Sequence, residues 1–169
     1  MNENNIEQVV SGINLGANLG TDVFYSGTVG AAIAGINLKY APVAISVCSF
    51  SPRDISFIAD KAFELIQKFR SISLQQNSLI NINFPDIFEQ DYKGELYTKL
   101  AKRGAPEAPN IISKNDQLSF TFSASGDFID GQTDTDMQAI ENGYVSVSIL
   151  NYDISNANDF LGREISHGS

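Results

Sequence analysis

A chain of 169 residues, 43% hydrophobic and 18% charged, has the composition of one folded globular domain, which excludes wholesale disorder and coiled coil. Eleven Lys and Arg against 20 Asp and Glu give a net charge of −9, which argues against a nucleic-acid polymer as partner because phosphate backbones need basic residues facing them. One cysteine, Cys48, and one histidine, His167, leave no internal disulfide and nearly exclude zinc, so any metal site must use the oxygen ligands that suit Mg²⁺, Mn²⁺ or Ca²⁺.

Ile6 to Val10 is short, apolar and β-branched and predicts a strand. The following GINLGANLG, residues 12–20, is too glycine-rich for a helix and too polar on one side for a core strand, so it reads as a loop. An Ala-rich apolar run, Val29 to Leu38, predicts a helix with Ser26 or Thr28 as its N-cap. Pro42 to Val47 reads as a buried strand. In residues 54–72, Ile55, Ile58, Ala62, Leu65, Ile66 and Phe69 recur at helical spacing, with Ser51-Pro52 as the start signal. Leu79 to Phe84 is another strand, stopped by Pro85.

Strand and helix thus alternate through the first half, which predicts parallel strands with crossover helices, an α/β layer fold. Gly94 to Leu100 and Leu118 to Ser123 look like two strands of an extended arm, separated by a loop with Pro106 and Pro109. Thr135 followed three residues later by Gln138 is a capping-box pattern for a short helix that Gly143 closes, and Tyr144 to Leu150 is a final strand. No apolar run reaches the length of about 18 residues that a spanning helix needs. The first residues lack the pattern of a secretory signal, so the expected compartment is the cytoplasm.

The loop of residues 12–28 is the most informative stretch. It joins a strand to a helix N-terminus, where ligands bind in open α/β sheets. Its glycines admit close backbone approach, Asn14 and Asn18 offer amide groups, and Ser26 and Thr28 add hydroxyls. It is neither a Walker A nor a dinucleotide fingerprint, and from spacing alone it reads equally as a plain Asn/Gly connection. The acidic residues Asp127, Asp130, Asp134 and Asp136 do not fit a calcium loop and read as solvated carboxylates at a helix start. His167 reads as an exposed residue near the C-terminus and Cys48 as a small core residue.

VVSGINLGANLGTDVFYSGTVGAAIAG, residues 9–35, closely resembles the signature of the SurE family of metal-dependent 5'/3'-nucleotidases. The resemblance continues through PVAISV (42–47), LININFP (79–85) and TDTDMQAIENGYVSVSIL (133–150). It implies a Rossmann-like α/β fold over residues 1–90, a protruding β-hairpin arm over 91–125, and a helix, strand and tail over 126–169. The implied reaction is hydrolysis of the phosphate ester of nucleoside monophosphates with Mn²⁺ or Mg²⁺. Implied too are dimers or tetramers formed by arm swapping. Carried over by position, Asn14 matches the family's asparagine metal ligand. Asn18 and the turn Ser26-Gly27-Thr28 match its phosphate-binding groups, and Thr135 and Asp136 match a structural position at a helix cap.

The chain departs from the pattern at its front. The first strand with an adjacent Asp-Asp pair, and a later serine ligand, have no counterpart here. No catalytic residue is therefore assigned within the chain, and Asp22 is the carboxylate nearest to hand. Ala34 stands where many members carry glutamate. Two readings follow. The chain is the substrate-loop part of a nucleotidase whose acidic front part is supplied by a separate N-terminal fragment or has been lost from the sequence. Alternatively, it is a catalytically inactive remnant that only oligomerises or binds anions.

Overall fold

The computed structural model describes residues 6–72, 74, 77–105, 108–114, 117–121, 126–129 and 131–153. Its centre is a five-stranded sheet in the order β1-β2-β3-β7-β4. The strands are β1 (Val10–Leu15), β2 (Val43–Val47), β3 (Ser78–Phe84), β4 (Glu95–Tyr97) and β7 (Val145–Asn151). β1, β2 and β3 run parallel, β7 runs antiparallel to β3, and β4 runs parallel to β7. β5 (Asn110–Lys114) and β6 (Gln117–Thr121) form a separate antiparallel hairpin with Ile111, Ile112, Leu118 and Phe120 exposed.

The sheet has two unlike faces. On one, Val43, Ile45, Val47, Ile80, Ile82, Phe84, Val145 and Val147 pack against helix α2 (Ile55–Arg70) through its Phe57, Ile58, Ala62, Leu65 and Phe69. On the other, helix α1 (Gly27–Ile33) covers Ala44 and Leu79 with Val29 and Ala32, and Leu150 packs beside them. The rest of that face is a buried polar seam of Ser46, Asn81, Asn83, Ser146 and Ser148. Strict alternation produces this division: Asn81 and Asn83 interleave with Ile80 and Ile82, so one sequence run supplies both faces.

β1 begins and ends later than the expected strand at 6–10 and takes in the first part of the expected loop. Its pairing with β2 is irregular: Ser11 lies opposite Ala44 and Asn14 opposite Ser46, so three steps on β1 match two on β2. That bulge reverses the parity of the strand. Ile13 therefore joins the apolar core beside α2, and Asn14 shares the polar face with Ser46. Gly12 makes the bulge possible, with φ at +118° and no room for a side chain against Ile45 O.

The expected helix at 29–38 is shorter and earlier. Ser26, rather than Thr28, is its N-cap, with Oγ accepting from Val29 N–H at 3.0 Å. Residues Gly20–Tyr25 form a 3-10 helix that the glycine content had disguised. Asp54, not Ser51-Pro52, caps α2 by accepting from Phe57 N–H. The strand expected at 94–100 does not belong to the arm. β4 pairs with β7 in the central sheet, because the parallel edge of β7 offers hydrogen-bond partners to Glu95, Leu96 and Tyr97. Helix α3 (Asp136–Glu141) is capped by Thr135 Oγ1, which accepts from Gln138 N–H, while Gln138 Oε1 accepts from Asp134 N–H.

Glu95 ties β4 to α2. The Lys68 ammonium at 2.8 Å, and then the Tyr92 hydroxyl, hold its carboxyl below the ordinary carboxylate range. A depressed folded pKa gives stability that is complete above the unfolded value and lost as pH falls through the folded one. Glu95→Gln should therefore flatten the acid limb of a stability–pH curve measured by urea unfolding between about pH 3 and 6.

Candidate functional site

Asn14 stands at the carboxyl end of β1, half-buried, with its Nδ2 donating to Gly16 O at 2.8 Å. Gly16 N–H in turn donates to Val47 O at 2.9 Å, so the chain leaving β1 is pinned to the end of β2. The next residues cross the polar seam. Asn18 is buried and turned inward: its N–H donates to Asn83 Oδ1 at 2.9 Å and its Nδ2 to Ser46 Oγ at 2.6 Å. Its carbonyl accepts from Asn81 Nδ2 at 2.9 Å and from Asn83 Nδ2 at 3.0 Å. The bond to Ser46 uses one N–H of the Asn18 amide, and the other three hold its backbone to β3, so Asn18 fixes the loop on the sheet. A buried seam of amides and hydroxyls is stable only when its members are paired, and the loop backbone supplies the pairing here.

Asp136 anchors the loop's far end. Its carboxylate is fully buried and accepts from Gly20 N–H at 2.7 Å, Ala101 N–H at 2.9 Å and Met137 N–H at 2.8 Å. Burial pushes the carboxyl above the usual carboxylate range, and the three N–H donors oppose that shift. The expectation of a solvated carboxylate is thus corrected at Asp136, because the loop, the start of α3 and the chain after β4 all converge on it. Asp130 and His167 lie outside the described residues.

Asp22 is also engaged. Arg103 grips both its oxygens, with Nη2 at 2.6 Å from Oδ2 and Nε at 3.1 Å from Oδ1, and the guanidinium stacks 3.9 Å above the Phe128 ring. Asp22 therefore links the loop to the base of the β5–β6 arm. Cys48 follows β2 half-buried, and burial pushes its thiol up to about 12, which leaves it protonated and unreactive at neutral pH.

Ser26, Gly27 and Thr28 open α1. The first intrahelical bond runs from Gly30 N–H to Ser26 O, so the N–H groups of Gly27 and Thr28 precede it. In a strand–helix–strand unit the helix runs back along the sheet, and its N-terminus faces the strands' carboxyl ends. A cavity of about 540 Å³ lined by Lys39, Tyr40, Arg70 and Asn77 is at the opposite end, away from these residues.

A divalent cation needs several oxygen ligands with negative charge among them. Among the described residues no three His, Cys, Asp or Glu side chains gather to hold one. Asn14 contributes one neutral amide, Asp22 is taken by Arg103, and the unpaired Asn81 Oδ1 is neutral and buried within β3. The described residues do not by themselves make a divalent metal site.

Sequence reasoning singled out Asn14 and the loop but missed the seam beneath it. The signal was present in ININF, where asparagine alternates with isoleucine inside a strand buried on both faces. The Arg103–Asp22 pair, 81 residues apart in sequence, left no local signal.

The family model described as Survival protein SurE matches residues 1–107. The chain belongs to the SurE family. It is 37% identical over 152 residues to the 5'-nucleotidase SurE of Pseudomonas savastanoi pv. phaseolicola, covering 89% of this chain and 61% of that protein. It is 38% identical over 154 residues to the 5'-nucleotidase SurE of Vesicomyosocius okutanii, again covering 61% of the relative. The crystal structure of the SurE protein from Aquifex aeolicus superposes with a TM-score of 0.79 at 29% identity, over 94% of this chain and 64% of that one. The chain thus spans about three-fifths of the length of its SurE relatives, and the Rossmann-like α/β arrangement is theirs. No helix among the described residues is long and apolar enough to cross a membrane.

Proposed function

We propose that this chain is the substrate-loop part of a SurE-type 5'-nucleotidase that hydrolyses the phosphate ester of nucleoside monophosphates. The observation that carries this reading is the placement of Asn14: the bulge at Gly12 turns it onto the polar face, at the carboxyl end of a parallel strand, in a chain of this family. Ser26, Gly27 and Thr28 would contact the phosphate, and Asn18 would hold the loop that presents Asn14. Asn14 would give one oxygen to a Mn²⁺ or Mg²⁺ ion. The anionic ligands would come from the portion of the relatives that this chain does not span. The exposed apolar hairpin suits arm swapping into a dimer or tetramer, and a cytoplasmic setting agrees with a nucleotide substrate.

The test is phosphate release from 5'-AMP in Mn²⁺, by the chain alone and mixed with the portion of the Pseudomonas relative that it does not span. The mixture should be active, and Asn14→Ala should reduce turnover at least about 100-fold, as expected for a lost ligand to a catalytic ion. Equal activity of the variant would overturn the role of Asn14. A folded but silent mixture would favour the catalytically inactive reading instead.

A further inference from the structure

Phe50 is an exposed ring that leans over Gly16, beside Asn14. It is 85% exposed, although it sits in a short, well-anchored turn after β2. Cys48 N–H donates to Phe84 O, Ser49 N–H to Val47 O, and Ser51 N–H to Ser49 Oγ, so the turn has little freedom. The ring leans over Gly16: its Cε1 is 3.2 Å from the point where a Cβ on Gly16 would stand, and Asn14 Nδ2 is 3.7 Å from the same point. Glycine at 16 therefore leaves the approach of the ring to Asn14 open. A solvent-facing aromatic ring on an anchored turn, beside the polar end of the strands, is the geometry that captures a planar heterocycle, since every base has a π-face and stacking needs no hydrogen-bond match.

We propose that Phe50 is the stacking platform for the nucleobase of the substrate, with the ribose bridging from a phosphate at the Asn14 end of the site. This rests on the nucleotidase reading above. It adds that base recognition is by stacking, and so tolerant of purine and pyrimidine alike.

The experiment is calorimetric titration of the whole chain, in Mn²⁺, with 5'-AMP, 5'-UMP and ribose 5-phosphate, for wild type, Phe50→Ala and Phe50→Trp. Phe50→Ala should weaken both nucleotides at least about fivefold, the lower end of what one lost base–aromatic stack costs. It should leave ribose 5-phosphate unchanged, and Phe50→Trp should keep or tighten nucleotide binding. The ring is exposed, so thermal melts of the variants should match wild type. If Phe50→Ala weakens ribose 5-phosphate as much as AMP, or weakens neither nucleotide, the platform is overturned while the nucleotidase reading stands. If wild type binds none of the three ligands, the platform is overturned, and the nucleotidase reading is decided by the activity of the mixture.

Discussion

Replacing Asp136 by alanine should destabilise the fold by about 2–6 kcal/mol, because two deeply buried donors, Gly20 N–H and Ala101 N–H, lose their acceptor at ~1–3 kcal/mol each. The third donor, Met137 N–H, opens α3 and is better placed to find water. For a chain of this size that loss lowers the melting temperature by roughly 2–4 °C per kcal/mol. Urea unfolding of wild type, Asp136→Ala and Asp136→Asn measures it. Asp136→Asn should recover only part of the loss, since its NH₂ cannot accept and would face an N–H donor. The damage should also be local. Gly20 and Ala101 lie on separate segments joined by Thr21 N–H to Ala101 O at 3.1 Å, so amide exchange should accelerate first in residues 18–22. A stability loss below about 1 kcal/mol would mean that water replaces the carboxylate, and that Asp136 does not anchor the loop.

Substituting Gly12 should be comparably severe and should also misdirect Asn14. A Cβ at Gly12 would stand 2.2 Å from Ile45 O, at a φ of +118° that other residues rarely adopt. The conformation contributes about 1–3 kcal/mol and the collision about 1–3 more, so Gly12→Ala should cost roughly 2–6 kcal/mol. Relief comes only by moving β1 away from β2 or by removing the bulge. Removing the bulge restores ordinary alternation and turns Asn14 toward the apolar core. Gly30→Ala is the matched control: it is exposed in α1 with open space around its Cα, and it should stabilise by up to about 1 kcal/mol. Differential scanning fluorimetry of the two variants gives opposite signs if this account is right. Equal melting temperatures would show that β1 tolerates a side chain at Gly12.

The layer architecture was legible because it depends on local signals. Helical spacing from Ile55 to Phe69 fixed α2, and the apolar runs of PVAISV and LININF fixed β2 and β3. Thr135 and Gln138 announced α3, and the string from Val9 to Gly35 carried the family. The site was legible only in outline. Glycine lowers strand propensity on any local reckoning, so a strand containing Gly12 looked like a loop. Pairing with β2 outweighed propensity there, because a backbone laid against a central strand gains hydrogen bonds that a loop lacks. The same held for β4, which seemed to belong to the arm until the free edge of β7 gave it a partner.

The sequence by itself determined β2, β3 and β7, helices α2 and α3, and the family they make. Only the tertiary structure decided which way its polar groups point. A one-residue bulge set the face of Asn14, burial turned Asn18 inward, and Arg103 drew Asp22 toward the arm. Each outcome depends on partners distant in the chain and on the need to satisfy every polar group removed from water. Local spacing carries no information about either.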